Sequence, residues 1–104
     1  MPARTLFQQA LTYMEAGECS RSESLLRHAI VLAETERDEL TRGSALCCLA
    51  DMLLSQERQR EAIPLLEHLS LIDCDDNSLD EEIDFARDML QRLDPAPTDA
   101  MRLA

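Results

Sequence analysis

Two apolar stripes at helical spacing, separated by a short polar break, occupy Leu46 to Leu69 and constrain what this chain can become. Leu46, Leu49, Ala50 and Leu53 recur three and four residues apart, which places them on one face of a helix. Ala62, Leu65, Leu66 and Leu69 repeat the arrangement on a second helix. Ser55 to Arg60 between them is wholly polar, so the two helices are expected to fold back as an antiparallel hairpin.

The flanking segments read the same way. Thr5 to Ala16 carries two adjoining stripes, Leu6, Ala10 and Tyr13 beside Phe7, Leu11 and Met14. Gly17 is placed to stop this helix, because a residue without Cβ enters the left-handed region freely. Ser20 or Ser22 is the expected N-cap of a second helix holding Leu25, Leu26, Ala29, Ile30, Leu32 and Ala33 and ending in Glu34 to Glu39. A third helix is expected from Asp38 or Thr41 to about Ser55, with Gly43 in its first turns. The fourth runs from about Arg58 to Ser70, with Pro64 tolerated if the helix opens near Glu61 to Ile63. Ser78 and Glu81 fit a capping box for a fifth helix bearing Ile83, Phe85, Ala86, Met89, Leu90 and Leu93, which ends before Pro95. The domain therefore spans 1–94, and 95–104 is expected to be a flexible tail. The fold class is all-α.

The helices also repeat one another at an offset of about 40 residues. Leu6, Ala10, Tyr13, Ser22, Leu26 and Ala29 fall on Leu46, Ala50, Leu53, Ala62, Leu66 and Leu69. The same offset carries Ala50 and Leu53 on to Leu90 and Leu93, so the fifth helix reads as the first half of a third unit, acting as a cap.

These positions resemble the tetratricopeptide repeat family, whose units place small, aromatic, turn glycine, small, large apolar and small residues where this chain has Ala10, Tyr13, Gly17, Ser22, Leu26 and Ala29. The second unit departs from the pattern with Glu57 in place of the turn glycine and Leu69 in place of alanine. Its longer spacing is similar to kinesin-light-chain-like repeats, as is the run Glu61-Ala62-Ile63-Pro64-Leu65-Leu66. The resemblance covers about Leu6 to Leu93 and implies a right-handed solenoid of about two repeats plus a capping helix, with first helices lining a concave groove. Carried over residue by residue, it implies groove positions at Arg4, Phe7, Gln8, Leu11, Met14 and Glu15, then Ser44, Cys47, Cys48, Asp51, Leu54 and Ser55. Of these, Phe7, Gln8, Leu11, Met14, Cys47, Cys48, Asp51 and Leu54 are the expected partner-binding residues. Members of the family that hold a peptide's terminal carboxylate do so with Lys and Asn. This chain has no Lys and places Leu11 and Asp51 there, so an anionic C-terminus is disfavoured.

Charge narrows the partner. A net charge of −11 excludes the basic surface that nucleic acid or an anionic membrane leaflet requires. No apolar run is long enough to span a bilayer, and the N-terminus lacks a signal-like apolar region, so a cytoplasmic address is expected. Cys19, Cys47, Cys48 and Cys74 form no CxxC pair and have no His at ligand spacing, which predicts reduced thiols and neither metal nor cofactor. The acidic run Asp73 to Glu82 lacks the EF-hand order and reads as a solvated loop with helix-start carboxylates. His28 and His68 have no nucleophile implied beside them, so no enzyme activity is expected. Two function classes follow. One is a small acidic adaptor or chaperone that takes an amphipathic helix with basic flanks into its groove. The other is a structural fragment or self-associating building block of a longer solenoid, in which Phe7, Leu11, Met14 and Leu54 pack against the next repeat or a second copy of the chain.

Overall fold

The computed structural model describes residues 1–72 and 78–93, which form five α-helices and no strand. They are α1 (Ala3–Glu15), α2 (Cys19–Glu36), α3 (Glu39–Ser55), α4 (Gln59–Ser70) and α5 (Asp80–Leu93). The expected 95–104 tail, Cys74 and the Asp73 to Asn77 part of the acidic run lie outside the described residues.

Consecutive helices pack side by side, and α1 and α5 each also touch α3, so α3 meets every other helix. Its sequence explains that position. Ala45, Leu46, Leu49, Ala50, Met52 and Leu53 are all buried, which covers most of the helix circumference and leaves only a narrow strip for solvent. The core runs from Leu6 and Ala10 through Leu26, Ala29 and the α3 residues to Ala62, Leu66, Leu69, Leu79 and Ala86. Burial recurs at the sequence offset: Ser22, Leu26 and Ala29 are buried on α2 as Ala62, Leu66 and Leu69 are on α4. On α5 the correspondence weakens. Ala86 is buried, but Leu90 and Leu93 are half-buried where Ala50 and Leu53 are enclosed, because no helix follows α5 among the described residues to cover them.

The turns after α1, α2 and α3 share one hydrogen-bond scheme. At the end of α1 the Gly17 N–H donates to the Met14 carbonyl (3.1 Å) and the Glu18 N–H to that of Tyr13 (2.9 Å), a Schellman motif with Gly17 at φ 81°. Arg37 (φ 58°) and Glu57 (φ 60°) make the same pair of bonds after α2 and α3. The missing glycine at position 57 therefore does not change the turn; it adds a Cβ penalty of about 1 to 2 kcal/mol. Glu57→Gly is expected to raise stability by up to about 1 kcal/mol, the relief being reduced by the greater freedom of Gly in the unfolded chain. Chemical denaturation measures this, and a loss of stability would show that Glu57 is held by something other than the turn.

Three local expectations change. The Schellman turn delivers the chain into α2 at Cys19, so Ser20 and Ser22 lie inside the helix and neither caps it; Ser22 Oγ donates to the Ala10 carbonyl at 2.9 Å. Helix α4 opens at Gln59, which leaves Pro64 internal and removes the N–H that would bond Arg60, on the exposed side of the helix. Helix α1 starts at Ala3, ahead of Thr5, where the Ala3 N–H donates to the Glu36 carboxylate at 3.1 Å. Asp38 does cap α3, accepting the Thr41 N–H at 3.1 Å. Helix α5 begins at Asp80, and the Leu79 carbonyl accepts the Ile83 N–H at 2.8 Å.

Arg58, just before α4, ties the two second helices together. It donates to both Glu23 carboxylate oxygens (2.7 and 3.1 Å) and to both of Glu61 (2.6 and 2.7 Å), while Arg27 donates to Glu23 at 3.2 Å. Hydrogen bonds from Arg58 hold the Glu23 carboxyl below its ordinary value against the opposing effect of burial. A depressed carboxyl pKa contributes stability that is complete above the unfolded value, about 4.3, and is lost as pH falls through the folded one. Glu23→Gln is therefore expected to lower Tm by a few degrees at pH 7, with the gap from the parent closing in acid. A pH-independent gap would show that Glu23 acts through packing alone.

Candidate functional site

The strip of α3 outside its fully buried residues holds Leu40, Ser44, the adjacent Cys47 and Cys48, Asp51 and Ser55, the others spaced three or four residues apart. Helix α1 borders it on one side and α5 on the other, so α3 forms the floor of a groove. Three adjoining clefts run along it.

The first cleft, of about 380 Å³, lies between α1 and the start of α3 and is lined by Arg4, Phe7, Gln8, Leu11, Leu40 and Ser44, with Asp38 and Thr41 at the α3 N-terminus. Leu40 is 49% exposed, and Leu11 is half-buried without joining the core cluster. Phe7 is also half-buried but packs on the core. The second cleft, of about 350 Å³, lies between α3 and α5 and is lined by Cys47, Cys48, Asp51, Glu81, Glu82 and Phe85. The third, of about 280 Å³, brings Met14 and Cys19 to Cys48, Asp51, Met52 and Ser55.

The structure thus distributes the expected binding residues over neighbouring compartments. Phe7, Gln8 and Leu11 share the first cleft, Cys47, Cys48 and Asp51 the second, and Met14 the third. Leu54 lines none of these and packs on the core. Sequence reading did not place Leu40 or the α5 residues Glu81, Glu82 and Phe85 in the groove. The exposed leucine at the start of α3 was visible as an apolar residue outside the buried stripe. The α5 contribution was not visible, since it depends on how α5 is set against α3.

Electrostatically the groove is uneven. Arg4 stands in the first cleft, whereas Asp51, Glu81 and Glu82 in the second have no cationic partner among the described residues. Burial, then the neighbouring Cys48, Glu82 and Asp51, push the Cys47 thiol up to about 12; burial and the same two carboxylates raise Cys48. Both are neutral thiols at pH 7 and poor nucleophiles. Among the described residues no three His, Cys, Asp or Glu side chains are placed to hold a metal ion, and no helix is long and apolar enough to cross a membrane. A cavity of about 470 Å³ elsewhere, between α1 and α2, is lined by Gln9, Tyr13, Ser20, Arg21, Ser24 and Leu25. Its one cation is already engaged, with Arg21 5.6 Å from the Tyr13 ring centre and 3.5 Å from Glu18.

No protein-family model, curated protein or solved structure matches this chain.

Proposed function

We propose that the protein is a protein-interaction module, a short tetratricopeptide-like stack of helical hairpins that takes an amphipathic helix of a partner into the groove along α3. The observation that carries this reading is the apolar surface in the first cleft that the core does not use. Leu40 is 49% exposed, and Leu11 contributes to no buried cluster. Exposed apolar groups that line a concavity gain by being covered, at roughly 25 cal/mol per Å² less the cost of ordering the partner. A net charge of −11 favours a partner with basic flanks, mainly through association rate and salt dependence. We assign it no catalysis and no cofactor, and place it in the cytoplasm, consistent with the free thiols of Cys19, Cys47 and Cys48.

The self-associating building block is the weaker reading. A further hairpin stacked on α1 would meet Thr5, Gln9 and Thr12 at the positions where α3 buries Ala45, Leu49 and Met52. The outer side of α5 is likewise polar, with Asp80, Asp84, Arg87, Asp88 and Gln91 exposed. Polar outer faces end a solenoid rather than extend it. The test is affinity capture from the native host with the parent and with Leu11→Ala/Leu40→Ala. A partner bound by the parent should bind the variant at least tenfold more weakly while the far-ultraviolet circular dichroism is unchanged. Equal binding by a folded variant removes the groove from the function.

A further inference from the structure

We infer that the groove reads two features of one partner helix, an apolar anchor in the cleft between α1 and α3 and an Arg or Lys two helical turns away in the cleft between α3 and α5. This deepens the groove reading and rests on it. Helix α3 supplies the floor of both clefts, and its lining residues are paired at a fixed interval: Leu40 with Cys47, Thr41 with Cys48, Ser44 with Asp51. Seven residues of helix rise roughly 10 Å and return almost to the same face. A partner helix lying along α3 therefore meets the two clefts with residues about seven apart.

A helix is the form of ligand the groove suits. Its walls are helix side chains, and no strand edge exists among the described residues to pair with an extended peptide. An extended segment would lose water from its N–H and C=O groups with nothing to replace it, whereas a helix satisfies them internally.

The chemistry of the two ends differs. Phe7, Leu11 and Leu40 make the first cleft apolar, and Arg4 beside them repels a cation. In the second, Asp51, Glu81 and Glu82 surround neutral thiols and the half-buried Phe85 ring. The dipole of α5 accounts for carboxylates at its first turn, but it gives nothing to Asp51, which projects from near the C-terminal end of α3 into the same cleft. Three carboxylates without a cationic partner among the described residues, next to an aromatic ring, match a guanidinium, which bonds carboxylates through its fork and can lie flat on a ring; an ammonium satisfies the charge without the stacking.

The experiment is selection of a displayed library of helical peptides, randomised along one face, against the intact protein, Glu81→Gln/Glu82→Gln and Leu11→Ala/Leu40→Ala. The expected result is enrichment of Arg or Lys about seven positions from an apolar anchor, with Arg ahead of Lys. Affinity of the selected peptides should fall about tenfold on Glu81→Gln/Glu82→Gln, and peptides with Gln in place of the basic residue should not distinguish that variant from the parent. Binders without a basic preference, or with one that survives the Glu→Gln changes, overturn the two-point inference and leave the apolar groove standing. Binders indifferent to Leu11→Ala/Leu40→Ala, or no binders, overturn both.

Discussion

Leu79→Ala should destabilise the protein by about 2 to 5 kcal/mol, the range for truncating an enclosed leucine. Leu79 is fully buried just before α5, and its side chain lies over Gly43 near the start of α3. A Cβ on Gly43 would stand 2.6 Å from one Leu79 methyl and 3.2 Å from its Cγ, so the glycine is the recess that receives the leucine. Glycine inside a helix costs about 1 kcal/mol against alanine, and this contact is what the cost permits. Losing Leu79 leaves a cavity beside a position with no side chain to collapse into it. Because Leu79 immediately precedes α5 and packs on α3, the variant should also loosen Glu81, Glu82 and Phe85 at the acidic end of the groove. Denaturant unfolding gives the energy. An unchanged midpoint would mean that α5 is held by Ala86 and its half-buried neighbours without help from Leu79.

That contact also marks where local sequence reading ends. The period of Leu46, Leu49, Ala50 and Leu53 gives α3 because every turn of the helix repeats the signal, and the polar break at Ser55 to Arg60 gives the hairpin. The turn at Glu57 was readable only through its correspondence to Gly17, since nothing in glutamate favours positive φ; two backbone hydrogen bonds outweigh the local preference. Ser22 was misassigned as a cap because a serine near a helix start has two uses, and its bond to the Ala10 carbonyl depends on a neighbouring helix. The groove divides in the same way. Phe7 and Leu11 stand out as a second apolar stripe on α1, whereas Gln8, Cys47, Cys48 and Asp51 were reached only through the family resemblance, and all six line the clefts along α3. Leu54 is half-buried on the core as Phe7 and the two cysteines are but lines none of the three clefts, and Glu81, Glu82 and Phe85 arrive from a helix set against both α4 and α3. Long-range register has no local signal.

Ala62→Leu should cost about 1 to 3 kcal/mol by overpacking the crossing of α3 and α4. The first hairpin shows how close that crossing is: Ser22 Oγ lies 2.9 Å from the Ala10 carbonyl, so the side chain of one helix reaches the backbone of the other. Ala50 and Ala62 stand at the corresponding positions of the second hairpin, and both are fully enclosed. Three added carbons have no free volume there, and the helices must separate or the leucine must leave its rotamer. Ala62→Ser is the control that distinguishes size from polarity. It adds one atom, and its hydroxyl can donate to the Ala50 carbonyl as Ser22 does to Ala10, so it should melt close to the parent. Thermal unfolding of the pair reads the result directly. If Ala62→Leu melts with the parent, or Ala62→Ser falls as far as the leucine variant, the two hairpins do not cross in the same way, and their 40-residue correspondence stops at the pattern of burial.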